Sequence, residues 1–162
     1  SSGFRTTILL LIGIYTLSII SVVVHNFNLG VFCLIILFLT TLSYYSTPEE
    51  KLFVWIFNDT ERSFLSRKIG TSILFSGILT LPISITLLVL NPEHYFVIAV
   101  FTLLGFTSLI TMVIAKYAAY PSKMNIAQGL IFSIGIVFPP LLLAVIPYFY
   151  SQAKGNLNEL LK

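Results

Sequence analysis

The chain predicts an all-α fold, a polytopic α-helical membrane protein of about five transmembrane helices. Composition is the first reason: 57% of the 162 residues are hydrophobic, 9% are charged, and mean hydropathy is +0.98. Soluble domains carry roughly a quarter charged residues, so this chain has too few to clothe a water-facing surface. The second reason is arrangement, because the apolar residues gather into long runs that show no alternation with polar ones. Barrel strands would be about 10 residues long and would alternate. The third is the placement of charge: residues 46–68 hold four of the nine basic and four of the six acidic residues.

Five runs, Thr6–Val24, Leu29–Tyr45, Ile69–Leu90, Tyr95–Ala115 and Ile126–Tyr150, are candidates to cross. A helix needs about 20 residues to traverse a hydrocarbon core of about 30 Å. The first run follows a lone Arg5 and lacks a small-x-small cleavage pattern, so it reads as a retained span. No segment outside the runs is long enough to fold alone, so residues 1–162 read as one transmembrane domain. The chain starts Ser-Ser-Gly without a Met, which suggests processing, a cloning scar or a fragment of something longer.

Arg5, the 46–68 loop and the Lys116–Lys123 loop hold seven of the nine Lys and Arg, and the two short loops at His25 and Asn91 hold none. Positive charge marks the cytoplasmic face, so the N-terminus is expected there. Five crossings would leave the tail outside, an awkward place for Lys154 and Lys162. The fifth run contains Pro139-Pro140 and Pro147. Proline removes backbone donors, so the run is either one kinked span or two half-length segments that turn at the pair. The kinked span is the preferred expectation.

The loop between spans two and three has its own structure in the sequence. Thr47-Pro48-Glu49-Glu50 has the form of a helix start, with Thr47 as cap, Pro48 first in the helix and Glu50 reaching back. Leu52–Phe57 contains the only Trp, Trp55, and is too short to cross. It predicts a short helix lying in the interface. Asn58-Asp59-Thr60-Glu61 breaks that helix and caps another, which leads through Arg62, Phe64, Arg67 and Lys68 into span three. Without further information, an interfacial bridge between spans is favoured over a partner-docking element.

Several classes of chemistry have no support. There is no Gly-rich phosphate loop, so any ATP hydrolysis must come from another protein. His25 and His94 lie in loops, and nothing completes a metal site. Cys33 is alone, the net charge of +3 follows from span ends and gives no reason to expect nucleic acid, and ionisable residues deep in spans are essentially lacking. No enzyme, cofactor or metal is expected. Lys116 is expected to snorkel to the interface, and Tyr117, Tyr120, Tyr148 and Tyr150 to mark it. Thr71, Ser72, Ser76, Thr80, Ser84, Thr86, Thr107, Ser108, Thr111, Gln128 and Ser133 are expected to hold helices together.

Two spans, a capped loop helix, and then Thr60-Glu61-Arg62-Ser63-Phe64-Leu65-Ser66-Arg67-Lys68 running into the third span resemble the ABC-2 type permeases of ATP-binding-cassette exporters. The resemblance covers about the first 90 residues in topology and about ten in motif. That family has a cytoplasmic N-terminus, and its loop between spans two and three carries the coupling helix that sits on the ATPase. It usually has six spans, against about five here. The resemblance implies a permease subunit in a bacterial cytoplasmic membrane, an oligomer through its transmembrane helices and a separate cytoplasmic ATPase subunit. It also implies partner coupling through Glu49, Glu50, Lys51, Trp55, Asp59, Glu61, Arg62, Phe64, Arg67 and Lys68. A small integral scaffold or assembly subunit with no transport activity is the alternative.

Overall fold

A computed structural model describes residues 2–50, 54 and 60–160. The described residues form no strand and are mostly helical: α1 is Ser2–Val23, α2 Phe27–Ser46, α3 Glu61–Leu90, α4 Tyr95–Ala119, α5 Ile126–Val137 and α6 Pro139–Leu160. Among the described residues, four stretches are long and apolar enough to cross a membrane: Arg5–Val23, Phe27–Ser46, Glu61–Leu90 and Pro92–Ala119. The first four sequence runs therefore correspond to helices of crossing length, in an integral membrane protein. Contacts divide the chain into two compact units, and α2, α3 and α4 each give one part to either unit.

The first unit comprises Ser1–Thr41 and Phe75–Phe106. Its core joins Ile14 of α1, Leu34, Leu37 and Phe38 of α2, Ile83 and Leu87 of α3, and Ile98 of α4. In lipid, helices associate through close packing and not through escape from water, so small residues matter. Gly105 is one such place, since a Cβ there would lie 2.4 Å from the Phe38 ring. Tyr15 Oη donates to the Leu79 carbonyl at 2.6 Å, and the Ser84 and Thr102 hydroxyls meet at 3.2 Å between α3 and α4. Most other hydroxyls turn back on their own helix: Thr71, Ser72, Thr80, Thr86, Thr111 and Ser133 each donate to a carbonyl three or four residues earlier. Of these six, Ser72, Thr80 and Thr111 are fully buried, whereas Thr71, Thr86 and Ser133 are exposed and bond only to their own helix.

The end of α1 is closed by a left-handed residue. His25 has φ of 50°, its N–H reaches the Val22 carbonyl, and the Asn26 N–H reaches Ser21. This is the Schellman arrangement, usually built on Gly. Asn26 Oδ1 then accepts from Leu29 N at 3.1 Å and starts α2.

The second unit comprises Leu42–Leu74 and Thr107–Lys162. Here the fifth run departs from the preferred expectation. It forms two helices, 12 and 22 residues long, separated by Phe138 at φ −122° and ψ 84°. At about 1.5 Å per residue α5 is about 18 Å long, too short to cross. Asn156 Nδ2 donates to the Ala118 carbonyl at 2.8 Å. Asn125 can be no more than about 25 Å from Ala118, seven residues away at full extension. A straight or gently kinked helix from Ile126 to Asn156 would be about 46 Å long and would leave that hydrogen bond unreachable. The chain therefore reverses at Phe138–Pro139, and α5 and α6 form a hairpin. Pro139 and Pro140 open α6, where a missing N–H has no helical partner to lose.

Helical spacing explains why α6 outlasts the apolar run. Leu142, Val145, Phe149, Ala153 and Leu157 are buried, at steps of three and four. The last four pack with Val113, Ile114, Tyr117 and Ala118 of α4 and Phe64 and Leu65 of α3. Phe132 of α5 packs with Leu42, Leu109 and Met112. At the start of α5, Asn125 Oδ1 accepts from Gln128 N at 2.8 Å while Gln128 Oε1 accepts from Asn125 N at 3.2 Å. Gln128 thus serves a capping box, in place of the expected role inside the membrane.

Candidate functional site

The segment after α2 leaves the helix at Thr47, and residues 48–50 are not helical. The helix start expected at Thr47-Pro48 is therefore not present, because Glu49 is drawn into tertiary contacts. The proposed interfacial helix falls on residues outside those described, as do Lys51, Trp55 and Asp59. Val54 is described, and it is buried in the core with Phe64, Leu65 and Tyr117. The cap expected at Thr60 is present: its Oγ1 accepts from Ser63 N at 3.3 Å and opens α3.

Glu49 is the centre of the site. Lys68 Nζ of α3 donates to Glu49 Oε1 at 3.0 Å, and Lys116 Nζ of α4 lies 3.6 Å from the same oxygen. Tyr117 Oη donates to Glu49 Oε2. One carboxylate thus holds a cation from each of two long helices and a phenol from one of them. Aromatic rings back the cations, with Lys68 Nζ 5.4 Å from the Phe64 ring centre and Lys116 Nζ 4.8 Å from that of Tyr117. Phe64 and Tyr117 meet edge to face at 5.3 Å.

The energetics are uneven across the cluster. Lys116 is only 5% exposed, whereas the Glu49 and Lys68 side chains keep about a third and a quarter of their surface, at 32% and 25%. An ammonium so deeply covered needs a counter-charge, and Glu49 supplies one. Burial by itself would raise the Glu49 carboxyl pKa. The Tyr117 hydrogen bond, the Lys116 charge and the Lys68 contact outweigh it and hold the group below its ordinary 4.5. The site is a charged clamp without a nucleophile–base pair, and no group of three or more metal-ligating side chains occurs among the described residues.

The other candidate residues are scattered around the clamp. Arg62, Arg67 and Glu50 are exposed, Glu61 is half-buried in the first turn of α3, and Phe64 is buried. Lys116 and Tyr117, expected to snorkel and to mark the interface, are instead inside the cluster. Tyr120 is also buried. The available signal was charge bookkeeping, since Lys116 is the only charged residue of α4 and Glu49 lies in a loop facing the same side. No protein-family model, curated protein or solved structure matches the chain.

Proposed function

We propose that this chain is all or part of the membrane-spanning permease subunit of an ATP-driven exporter in a bacterial cytoplasmic membrane. In this reading the N-terminus is cytoplasmic, and the permease pairs with another through its transmembrane helices. Residues 47–68 receive motion from a separate cytoplasmic ATPase. One observation carries the reading: the segment after α2 is fastened to two long apolar helices at once. Glu49 ties it to α3 through Lys68 and to α4 through Lys116 and Tyr117, while Val54 anchors it in the core. A docking loop held only by its ends would yield under a partner, whereas a clamped one passes displacement to the helices. Exposed Arg62 lies in the first turn of α3 and offers charge to an acidic partner surface.

The test is affinity purification of the chain from its native membrane, with ATP hydrolysis measured on the eluate. An ATPase subunit that co-purifies with wild type and is lost with Arg62→Glu supports the permease. A stable eluate that hydrolyses no ATP contradicts it and favours the scaffold.

A further inference from the structure

The α5–α6 hairpin has an outer surface that its own unit does not cover. Ile126 and Val137 are each 85% exposed, and Leu130, Ile134, Phe138 and Leu143 are exposed as well. The two helices expose no charge between Ile126 and Tyr150, because that run contains none. Water is a poor neighbour for such a surface. The base of the hairpin is polar: Ser122, Lys123 and Asn125 precede α5, and Ser151, Lys154 and Asn158 are exposed beyond the apolar part of α6.

Depth follows from the contacts. Asn156 is tied to Ala118, in the last turn of α4. Phe132 packs with Leu109 and Met112, about two turns or more further into that span. The tip at Phe138–Pro139 is six residues beyond Phe132, about 9 Å deeper. The hairpin therefore lies alongside a helix long and apolar enough to cross a membrane. With α5 only about 18 Å long, the tip reaches the middle of a core about 30 Å thick and stops short of the far headgroups.

We infer that α5 and α6 form a re-entrant hairpin, seated among the acyl chains of the leaflet on the Lys68–Lys116 side, which returns the C-terminal tail to that side. The occupant of its exposed face is lipid, because that face is apolar and carries no charge from Ile126 to Tyr150, and the hairpin packs on α4, a helix long and apolar enough to cross a membrane. Irregular backbone at membrane depth needs its polar groups satisfied. The turn meets part of this locally, with the Phe138 N–H on the Ile134 carbonyl and the Leu141 N–H on the Phe138 carbonyl. The return also removes the awkward tail, since Lys154 joins Lys68, Lys116 and Lys123 at one end of the unit and satisfies the positive-inside bias.

The test uses the full chain in sealed vesicles, with its only cysteine, Cys33, replaced by Ala. Single cysteines go in at Ser122, Asn158 and, at the other end of α2, Asn28; a membrane-impermeant maleimide is then added from one side. Ser122→Cys and Asn158→Cys should label from the same side and Asn28→Cys from the other. Labelling of Asn158→Cys together with Asn28→Cys would overturn the inference, because the fifth run would then cross. A nitroxide on Val137→Cys gives a second readout that does not depend on the tail. It should be more accessible to oxygen than to a water-soluble nickel relaxant, at a depth near the bilayer centre. A headgroup-level or aqueous signal would overturn the lipid placement. Neither result depends on whether an ATPase binds.

Discussion

Replacing Glu49 by Gln removes one charge while keeping size and an acceptor for Tyr117. The consequence falls on Lys116, whose ammonium is 5% exposed and 3.6 Å from the lost charge. Breaking a fully buried pair costs about 3–5 kcal/mol. Water reaches Glu49, which is 32% exposed, so screening brings the expected loss to about 2 kcal/mol. For a chain of 162 residues, that lowers the melting temperature by about 4–8 °C. The assay is thermal unfolding of the purified protein in detergent, extended to a double-mutant cycle with Lys116→Met. Met keeps the apolar stem and removes the stranded charge, so the double variant should recover at least half of the loss. A coupling of about 1–2 kcal/mol between the sites is expected. If Glu49→Gln melts within about 1 °C of wild type, or if the two effects simply add, the clamp contributes nothing and the reasoning fails.

Acid should release the same clamp. A carboxyl held below 4.5 contributes stability that is fully present above its unfolded value and disappears as pH falls through the lower folded one. Wild type should therefore lose stability relative to Glu49→Gln below about pH 4 and keep a constant difference from about pH 5 to 8. Parallel melting curves down to about pH 3 would contradict the assignment. At the end of α1, His25→Gly should raise stability by about 1 kcal/mol, because Gly accepts a φ of 50° without a Cβ penalty; an unchanged or lower melting temperature counts against the strain. Gly105→Ala should cost about 1–3 kcal/mol, since the new Cβ would meet the rigid Phe38 ring at 2.4 Å, and Phe38→Leu in the same background should recover part of it.

The four crossing helices were legible because each contains a long run without charge, and in lipid that is nearly sufficient to specify a helix. The fifth run shows where such reading stops. Pro139-Pro140 permits a kink and a turn alike, and what distinguishes them is Asn156 reaching Ala118, a contact between residues 38 apart. The extension of α6 beyond Tyr150 was present in the sequence as Val145, Phe149, Ala153 and Leu157 at helical spacing. Hydropathy obscured it, because polar residues separate the last two from the run. Capping signals behaved in the same way. Thr60 and Asn125 cap as their local sequence dictates, whereas Thr47-Pro48 does not, because Glu49 gains more from two cations and a phenol than from a helix dipole. Propensity is local, and the clamp is assembled from residues 19, 67 and 68 positions away from Glu49.

If Glu49 passes the motion of a cytoplasmic partner from the loop to α3 and α4, ATP hydrolysis by the purified complex will depend on it. Glu49→Gln leaves Arg62 in place. The ATPase subunit should therefore co-purify in wild-type amount while its hydrolysis rate no longer responds to reconstitution of the membrane chain in lipid. An unaltered response in the Glu49→Gln complex, or a native complex that holds no ATPase, would contradict this role for Glu49.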